Sequence, residues 1–353
     1  MFYRPAMEPE REALFEVARR TFDTPEFRGI EFIESEAKTI INHVPGTWLP
    51  FNWTINPYRG CTHACSYCFA RPTHTYLDMN AGRDFETKIV VKVNAPQMLR
   101  AQLGSKRWKG EHIAMGTATD PFQRAEGRYR LMRGIIEALA DYRNPFSILT
   151  KGTLILRDLD LLREAAKVTD VSTAFSIGTL DEDAWRRSEP GTPHPRARIE
   201  AVAALNDAGI PCGVLMAPIL PGITDDPGRL RDVVRAAIDA GATHVSPILL
   251  HLRPGVREEF IPWLAEHYPD LVERYERTYA ARGGYAPKAV QKEIGDVVRS
   301  LVREAGGVQV ERGMANRLRR DEPAASPALP PVPPGQQLSL LDAMPTARRR
   351  RAS

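Results

Sequence analysis

The stretch NPYRGCTHACSYCFARP (56–72) follows directly on a short apolar run and decides how the rest of the chain is read. Three of the four cysteines stand in it, Cys61, Cys65 and Cys68, spaced C-x3-C-x2-C. They lie too close together for disulfides that close useful loops, so metal binding or redox chemistry is favoured. A loop of this kind can wrap one face of a cubane cluster, giving one thiolate to each of three irons and leaving the fourth iron open. Two other readings stand beside it. Zinc would take the three thiolates plus His63 or His74, although structural zinc usually shows two paired knuckles and there is no second pair here. Three unrelated core cysteines would be the third, at an unusual density for a loop that also holds Gly60, Thr62, His63 and Ser66.

Outward from this loop, short apolar runs alternate with amphipathic helical patterns from about Trp53 to Leu250, the pattern of repeated βα units and a mainly parallel sheet. Six runs read as strands: WTINPY (53–58), HIAMGT (112–117), PFSILT (145–150), VSTAFSI (171–177), PCGVLMAP (211–218) and THVSPILL (243–250). KIVVKV (88–93) reads as an additional strand at an edge. Between them, Leu131, Ile135, Ile136 and Leu139, then Ile199, Val202, Ala203 and Leu205, then Leu230, Val233, Val234 and Ile238 recur at helical spacing. Gly209 and Gly241 follow the last two helices as C′ residues. Six units are too few for a closed eight-stranded barrel and suit a partial (β/α)6 barrel of TIM type or an open doubly wound sheet. Either way, ligands gather at the carboxyl ends of the strands.

The 353 residues are 43% hydrophobic and 26% charged, a composition that buries a core and is not that of a disordered chain. A net charge of +4 gives no broad electrostatic footprint for nucleic acid, so any such contact must come from local placement of arginines. The amino terminus lacks a continuous apolar segment, and no run of 18 apolar residues occurs, so a cytoplasmic protein with no membrane partner is expected. The boundaries read as an extension packing on the barrel (1–50), the barrel (51–255), a helical region (256–320) carrying Phe260, Trp263, Leu264, Leu271, Tyr275 and Tyr279 on one packed face, and a tail (321–353). The tail holds seven prolines without a period and is expected to be disordered.

The cysteine loop, with Tyr67 as the aromatic before the last cysteine, together with TDPFQ (119–123), TKG (150–152) and APILPG (217–222), resembles the radical S-adenosylmethionine (SAM) superfamily. Within it the similarity is to the branch of the spore photoproduct lyases and covers about residues 35–285. The resemblance implies a 4Fe-4S cluster on Cys61, Cys65 and Cys68, SAM on the open iron, and reductive cleavage to methionine and a 5′-deoxyadenosyl radical that takes hydrogen from a substrate. It also implies an electron donor such as flavodoxin or ferredoxin, and a nucleic acid as substrate.

The resemblance further assigns Tyr67, Thr119, Asp120, Lys151, Ser176, Arg196 and Arg198 to the cofactor. Thr119 and Asp120 match the segment that meets its amino group, with a plain Asx turn at Asp120 as the alternative. Lys151 would meet the carboxylate as a point charge, Ser176 the ribose, and Arg196 or Arg198 would clamp a carboxylate. The alternative for the arginines is a surface pairing with Glu189. Cys212 is open between a small buried hydrophobe and a hydrogen-atom donor. Photoproduct lyases place a cysteine near the second-strand Asp where this chain has Ala118, a departure that counts against photoproduct repair. Gln337 to Leu341, QLSLL, resembles a sliding-clamp docking peptide. Two rival functions remain at this point: a zinc or iron–sulfur accessory protein of DNA repair, and a radical enzyme acting on a peptide or small metabolite.

Overall fold

Alternating apolar runs and amphipathic segments fold as the periodicity requires. The computed structural model describes residues 18–44, 49, 51–280 and 283–307. Its strands are β1 (Ala18–Thr21), β2 (Glu31–Ser35), β3 (Ile41–His43), β4 (Trp53–Ile55), β5 (Tyr58–Arg59), β6 (Lys88–Lys92), β7 (Ile113–Met115), β8 (Phe146–Thr150), β9 (Val171–Ser176), β10 (Cys212–Ile219) and β11 (Val245–Leu249).

The larger sheet has seven strands in the order β11-β10-β9-β8-β7-β4-β3. From β4 to β11 every neighbouring pair is parallel and follows chain order, and β3 joins β4 antiparallel at the edge. Among the described residues β11 pairs only with β10, so the six parallel strands form an open barrel wound in one direction. This is the partial (β/α)6 architecture, and the doubly wound alternative is excluded because the strand order never reverses. The return helices Leu131–Asp141, Pro195–Asp207 and Pro227–Asp239 bury the expected faces, with Ile135, Ile136, Leu139, Val202, Leu205, Val233 and Val234 at most 1% exposed. Full burial of each such side chain stabilises by roughly 1.5–3 kcal/mol. Ile199, Ala203 and Ile238 are only half-buried at the margins of those faces. Gly209 and Gly241 end two of the helices at φ +79° and +74°, the left-handed conformation a C′ residue needs.

Two strand expectations are corrected. The run 53–58 splits, because Pro57 has no N–H to continue the ladder. Tyr58 and Arg59 become β5 and pair with β6 in a second sheet of order β1-β2-β6-β5. For the same reason KIVVKV is not an edge: β6 lies inside that sheet, parallel to β2 and antiparallel to β5. Its lysines face one side while Ile89 and Val91, fully buried, face the core. Residues 18–44 thus supply strands to both sheets.

Beyond β11, helices Arg257–His267, Val272–Thr278 and Lys288–Glu304 carry the expected apolar face. The Phe260 ring lies 5.0 Å from Trp263 and 5.6 Å from Tyr275. Among the described residues no helix is long and apolar enough to cross a membrane. The tail, with its docking-peptide resemblance at Gln337 to Leu341 and its arginine run, lies outside the described residues.

Candidate active site

The cysteine loop leaves the carboxyl end of β4 and is held by side chains from neighbouring elements. Gln123, fully buried, donates from Nε2 to Gly60 O (3.0 Å) and accepts from Thr62 N (2.9 Å), bracketing Cys61 on both sides. Cys61 N donates to Phe85 O at 2.9 Å. Arg71, 3% exposed, donates from Nε and Nη2 to Cys65 O (3.0 and 2.8 Å), from Nη1 to Ala81 O and Gly82 O, and pairs with Glu86. Backbone polar groups of a buried irregular loop must find partners, and these two side chains supply them. The proline that follows, Pro72, stands early in the 3-10 turn Arg71–Leu77, where its fixed φ suits the start of a helix.

A second group of side chains stands beneath that loop, at the carboxyl ends of β8, β9 and β10. Its centre is Glu189, 4% exposed, between the helices Glu182–Ser188 and Pro195–Asp207. Lys151 Nζ donates to Glu189 Oε1 (2.9 Å) and to Ser176 Oγ (2.8 Å). Arg198 Nη2 donates to Glu189 Oε2 at 2.5 Å, and Tyr67 donates its hydroxyl hydrogen to Glu189 Oε1. Lys151 Nζ also lies 5.6 Å from the centre of the Tyr67 ring, within cation–π range. Burial opposes ionisation of Glu189, but the charges of Arg198 and Lys151 and the Tyr67 hydrogen bond outweigh it and hold the carboxyl far below its ordinary range. The loop carrying Glu189 sits directly on the cysteine loop: Ser66 N donates to Ser188 O (3.0 Å) and Gly191 N to His63 O (3.0 Å). A Cβ at Gly191 would come within 2.1 Å of Thr62 O, so the close approach demands glycine.

Tyr67, Lys151, Ser176 and Arg198 are therefore brought together, while other expected residues are placed differently. Asp120 spends its oxygens on protein donors: Oδ1 accepts from Phe122 N (2.9 Å) and Thr150 Oγ1 (2.6 Å), Oδ2 from Lys151 N (2.6 Å), and His63 Nδ1 lies 3.4 Å from Oδ2. The bond to Phe122 N is the Asx turn, and together these contacts make Asp120 position the loops after β7 and β8. Burial works against its ionisation, yet His63, Thr150 and the Lys151 N–H together keep its carboxyl below the usual range. Thr119 Oγ1 donates to Tyr58 O at 3.1 Å and likewise ties loops. Arg198, 1% exposed, has a partner on each nitrogen: Nε serves Pro193 O, Nη1 serves Ser176 O, and Nη2 serves Glu189 and Thr192. It clamps Glu189, a buried pairing and not a surface one. Arg196 is exposed and stands apart from this group.

Cys212 opens β10 opposite Thr173, at the amino end of the strands and away from the site, fully buried and with its Sγ 3.7 Å from Gly213 O. Burial pushes its thiol up to about 11. The packed-hydrophobe reading is the one the geometry supports. Sequence reasoning did not single out Gln123 or Arg71, and it named Glu189 only as an alternative partner for the arginines. The Ala217 carbonyl was also missed: it accepts from Ser176 Oγ at 2.7 Å.

All four cysteines are free thiols. Burial pushes those of Cys61, Cys65 and Cys68 up; at Cys61 the charge of Asp120 and then those of Cys68 and Cys65 add to it. Among the described residues no group of three or more His, Cys, Asp or Glu side chains is arranged to hold one metal ion. His63 Nδ1 lies 3.4 Å from Asp120 Oδ2 and His74 Nε2 3.0 Å from Lys88 O. Thr62 Oγ1 and Ser66 Oγ, interleaved with the cysteines, are buried without a hydrogen-bond partner. Orphaned hydroxyls of this kind call for an acceptor, and cluster sulfides would supply it, so the donor set fits an iron–sulfur cluster. A pocket of about 250 Å³ adjoins the loop, lined by His63, Phe122, Arg124, Thr153, Gly191 and Pro193.

An open (β/α)6 barrel with a three-cysteine loop after its first strand defines a class, and comparison with known proteins agrees. The profile of the radical SAM superfamily matches residues 55–242. An uncharacterized protein of Mycobacterium tuberculosis is 48% identical over 284 residues, covering 80% of this chain and 83% of that protein. The radical SAM Nalpha-GlyT isomerase of Pseudomonas phage M6 is 26% identical over 196 residues, covering 54% of this chain and 37% of that protein. Spore photoproduct lyase complexed with dinucleoside spore photoproduct shares the fold at a TM-score of 0.58, with 17% identity over 77% of this chain and 79% of that chain. The chain belongs to the radical SAM superfamily.

Proposed function

We propose that this protein is a radical SAM enzyme whose Cys61, Cys65 and Cys68 hold a 4Fe-4S cluster, and whose substrate is a nucleic-acid base or lesion. The observation that carries the reading is the three-thiol loop seated by Gln123, Arg71 and Gly191 over the Lys151–Glu189–Ser176 group. Cys61, Cys65 and Cys68 would hold the cluster, and its chemistry would be one-electron reduction of the SAM sulfonium to give methionine and a 5′-deoxyadenosyl radical that takes a hydrogen atom from substrate. The chain's own part is placement. Lys151 would meet the cofactor carboxylate with its ammonium, and Ser176 the ribose with its hydroxyl. Glu189 holds Lys151 charged and in place, and Arg198 and Tyr67 hold Glu189. Burial of the loop keeps water from the site.

The substrate class is supported by the fold shared with a lyase that binds a dinucleoside photoproduct, while Ala118 counts against the same repair reaction here. A flavodoxin- or ferredoxin-type donor would supply the electron. Anaerobic reconstitution tests the cofactor assignment: a brown protein with about four irons per chain is expected, and a colourless protein with one zinc contradicts it. Deuterium carried from a labelled oligonucleotide into 5′-deoxyadenosine tests the substrate class; label carried only from a peptide or small metabolite overturns it.

A further inference from the structure

The second sheet has a face that the proposed reaction does not use. Val90 and Lys92 on β6, Arg59 on β5 and Ser35 on β2 share one side of it, because Arg59 pairs with Val90 and Ser35 with Lys92 across the ladders. With Lys38, Glu36 and Leu77 they line a cleft of about 330 Å³. Arg59 and Lys92 thus bring two positive charges to one side of the sheet. Among the described residues neither Arg59 nor Lys92 has a carboxylate partner; Lys92 Nζ donates only to Asn56 O, at 2.8 Å. The ammonium keeps two N–H donors and the guanidinium its planar fork. Burial, and after it the charge of Arg59, push Lys92 down to about 8, so two like charges are held close together without compensation.

The wall opposite is fixed in advance. Asn94 takes both sides of Ala37, accepting from its N at 2.8 Å and donating to its O at 3.0 Å, and Gln102 Oε1 accepts from Ile40 N and Ile41 N. A rigid concave site with unmatched cations is built for an oxyanion. The cleft also adjoins the cysteine loop: Arg59 stands two residues before Cys61, and the Asn56 that Lys92 holds accepts from Ala118 N through its side chain. Tyr76, the residue before the lining Leu77, is 82% exposed, a platform on which an unpaired base can stack.

We propose that this cleft is a phosphate subsite in which Arg59 and Lys92 grip a phosphate oxyanion beside the active site. Taking that phosphate from the backbone of a nucleic-acid strand rests on the substrate reading above; the oxyanion site does not, and free phosphate is its other source. The test uses the reconstituted full chain with two probes, a fluorescein-labelled oligothymidylate followed by anisotropy across a salt series, and radiolabelled inorganic phosphate followed by equilibrium dialysis. The variants are Arg59→Gln, Lys92→Met and the charge-preserving double variant Arg59→Lys, Lys92→Arg, each checked for iron content. Expected is oligonucleotide binding whose salt slope falls by about one for each charge removed and returns in the double variant. Oligonucleotide binding with an unchanged slope in both neutral variants would overturn the cleft and leave the substrate reading standing. Phosphate bound by the wild type and lost in the neutral variants, with no oligonucleotide binding, would support the oxyanion site and overturn the nucleic-acid reading. Binding of neither probe overturns the proposal.

Discussion

Lys151, on the loop after β8, donates its ammonium hydrogen to Glu189, on the loop after β9, across 2.9 Å, with the two side chains 12% and 6% exposed. A charge pair so far from solvent survives only when its remaining valences are also met. Ser176 meets one of them on the lysine, and Arg198 and Tyr67 meet those on the carboxylate. The pair fastens two strand-end loops together immediately under the cysteines.

Replacing Glu189 by Gln strands Lys151 and Arg198 in a buried setting. Loss of one partner from a buried ion pair costs about 3–5 kcal/mol. The unfolding free energy of the Glu189→Gln variant, read from urea titration, should fall by that amount, and a loss under about 1 kcal/mol would show that the cluster of charges is not integral to the fold.

The same group sets an acid limit. Although burial resists its ionisation, the charges of Arg198 and Lys151 keep the Glu189 carboxyl below its ordinary range in the folded state. A depressed folded value stabilises above the unfolded value and is lost as pH falls through the folded one. The stability gap between wild type and Glu189→Gln should stay level from about pH 8 to about pH 5 and narrow below about pH 4.3. A gap that instead grows in acid would reverse the sign of the interaction.

Gln123→Ala removes both hydrogen bonds that bracket Cys61 and leaves Gly60 O and Thr62 N buried and unmatched. Each such group costs about 1–3 kcal/mol. The expected outcome is a lower thermal midpoint together with a lower iron content after reconstitution. Iron content equal to the wild type would mean that the loop holds its shape without Gln123.

The barrel was legible in the sequence because strand and helix periods are local. Every one of the six expected runs contains a strand of the larger sheet. KIVVKV was misplaced because its partner β2 lies more than fifty residues away, and nothing local announces a second sheet. The site was legible where chemistry and spacing coincide, at Cys61, Cys65 and Cys68. It was illegible at Glu189, whose partners Tyr67 and Lys151 come from other loops; its neighbours in sequence suggest only a surface helix start. One signal was available, since Arg198 follows a Pro- and Gly-rich segment and sits on the apolar face of its helix with Val202 and Leu205, a place that calls for a buried carboxylate.

Cys212 gives a test of what the thiol does not do. It is buried at the amino end of β10, away from the loops that carry the site. Cys212→Ala should leave 5′-deoxyadenosine formation unchanged and destabilise the fold slightly, as removal of a small buried group does. Loss of activity in a variant of undiminished stability would restore the hydrogen-donor role.

The most direct measurement of the central claim is 5′-deoxyadenosine released by anaerobically reconstituted protein given SAM and dithionite, in the wild type and in Cys61→Ala, Cys65→Ala and Cys68→Ala. The wild type should form it and each variant should form none. Full product formation by any one of the three variants, or none by an iron-loaded wild type, would contradict the assignment of these cysteines to a SAM-cleaving cluster.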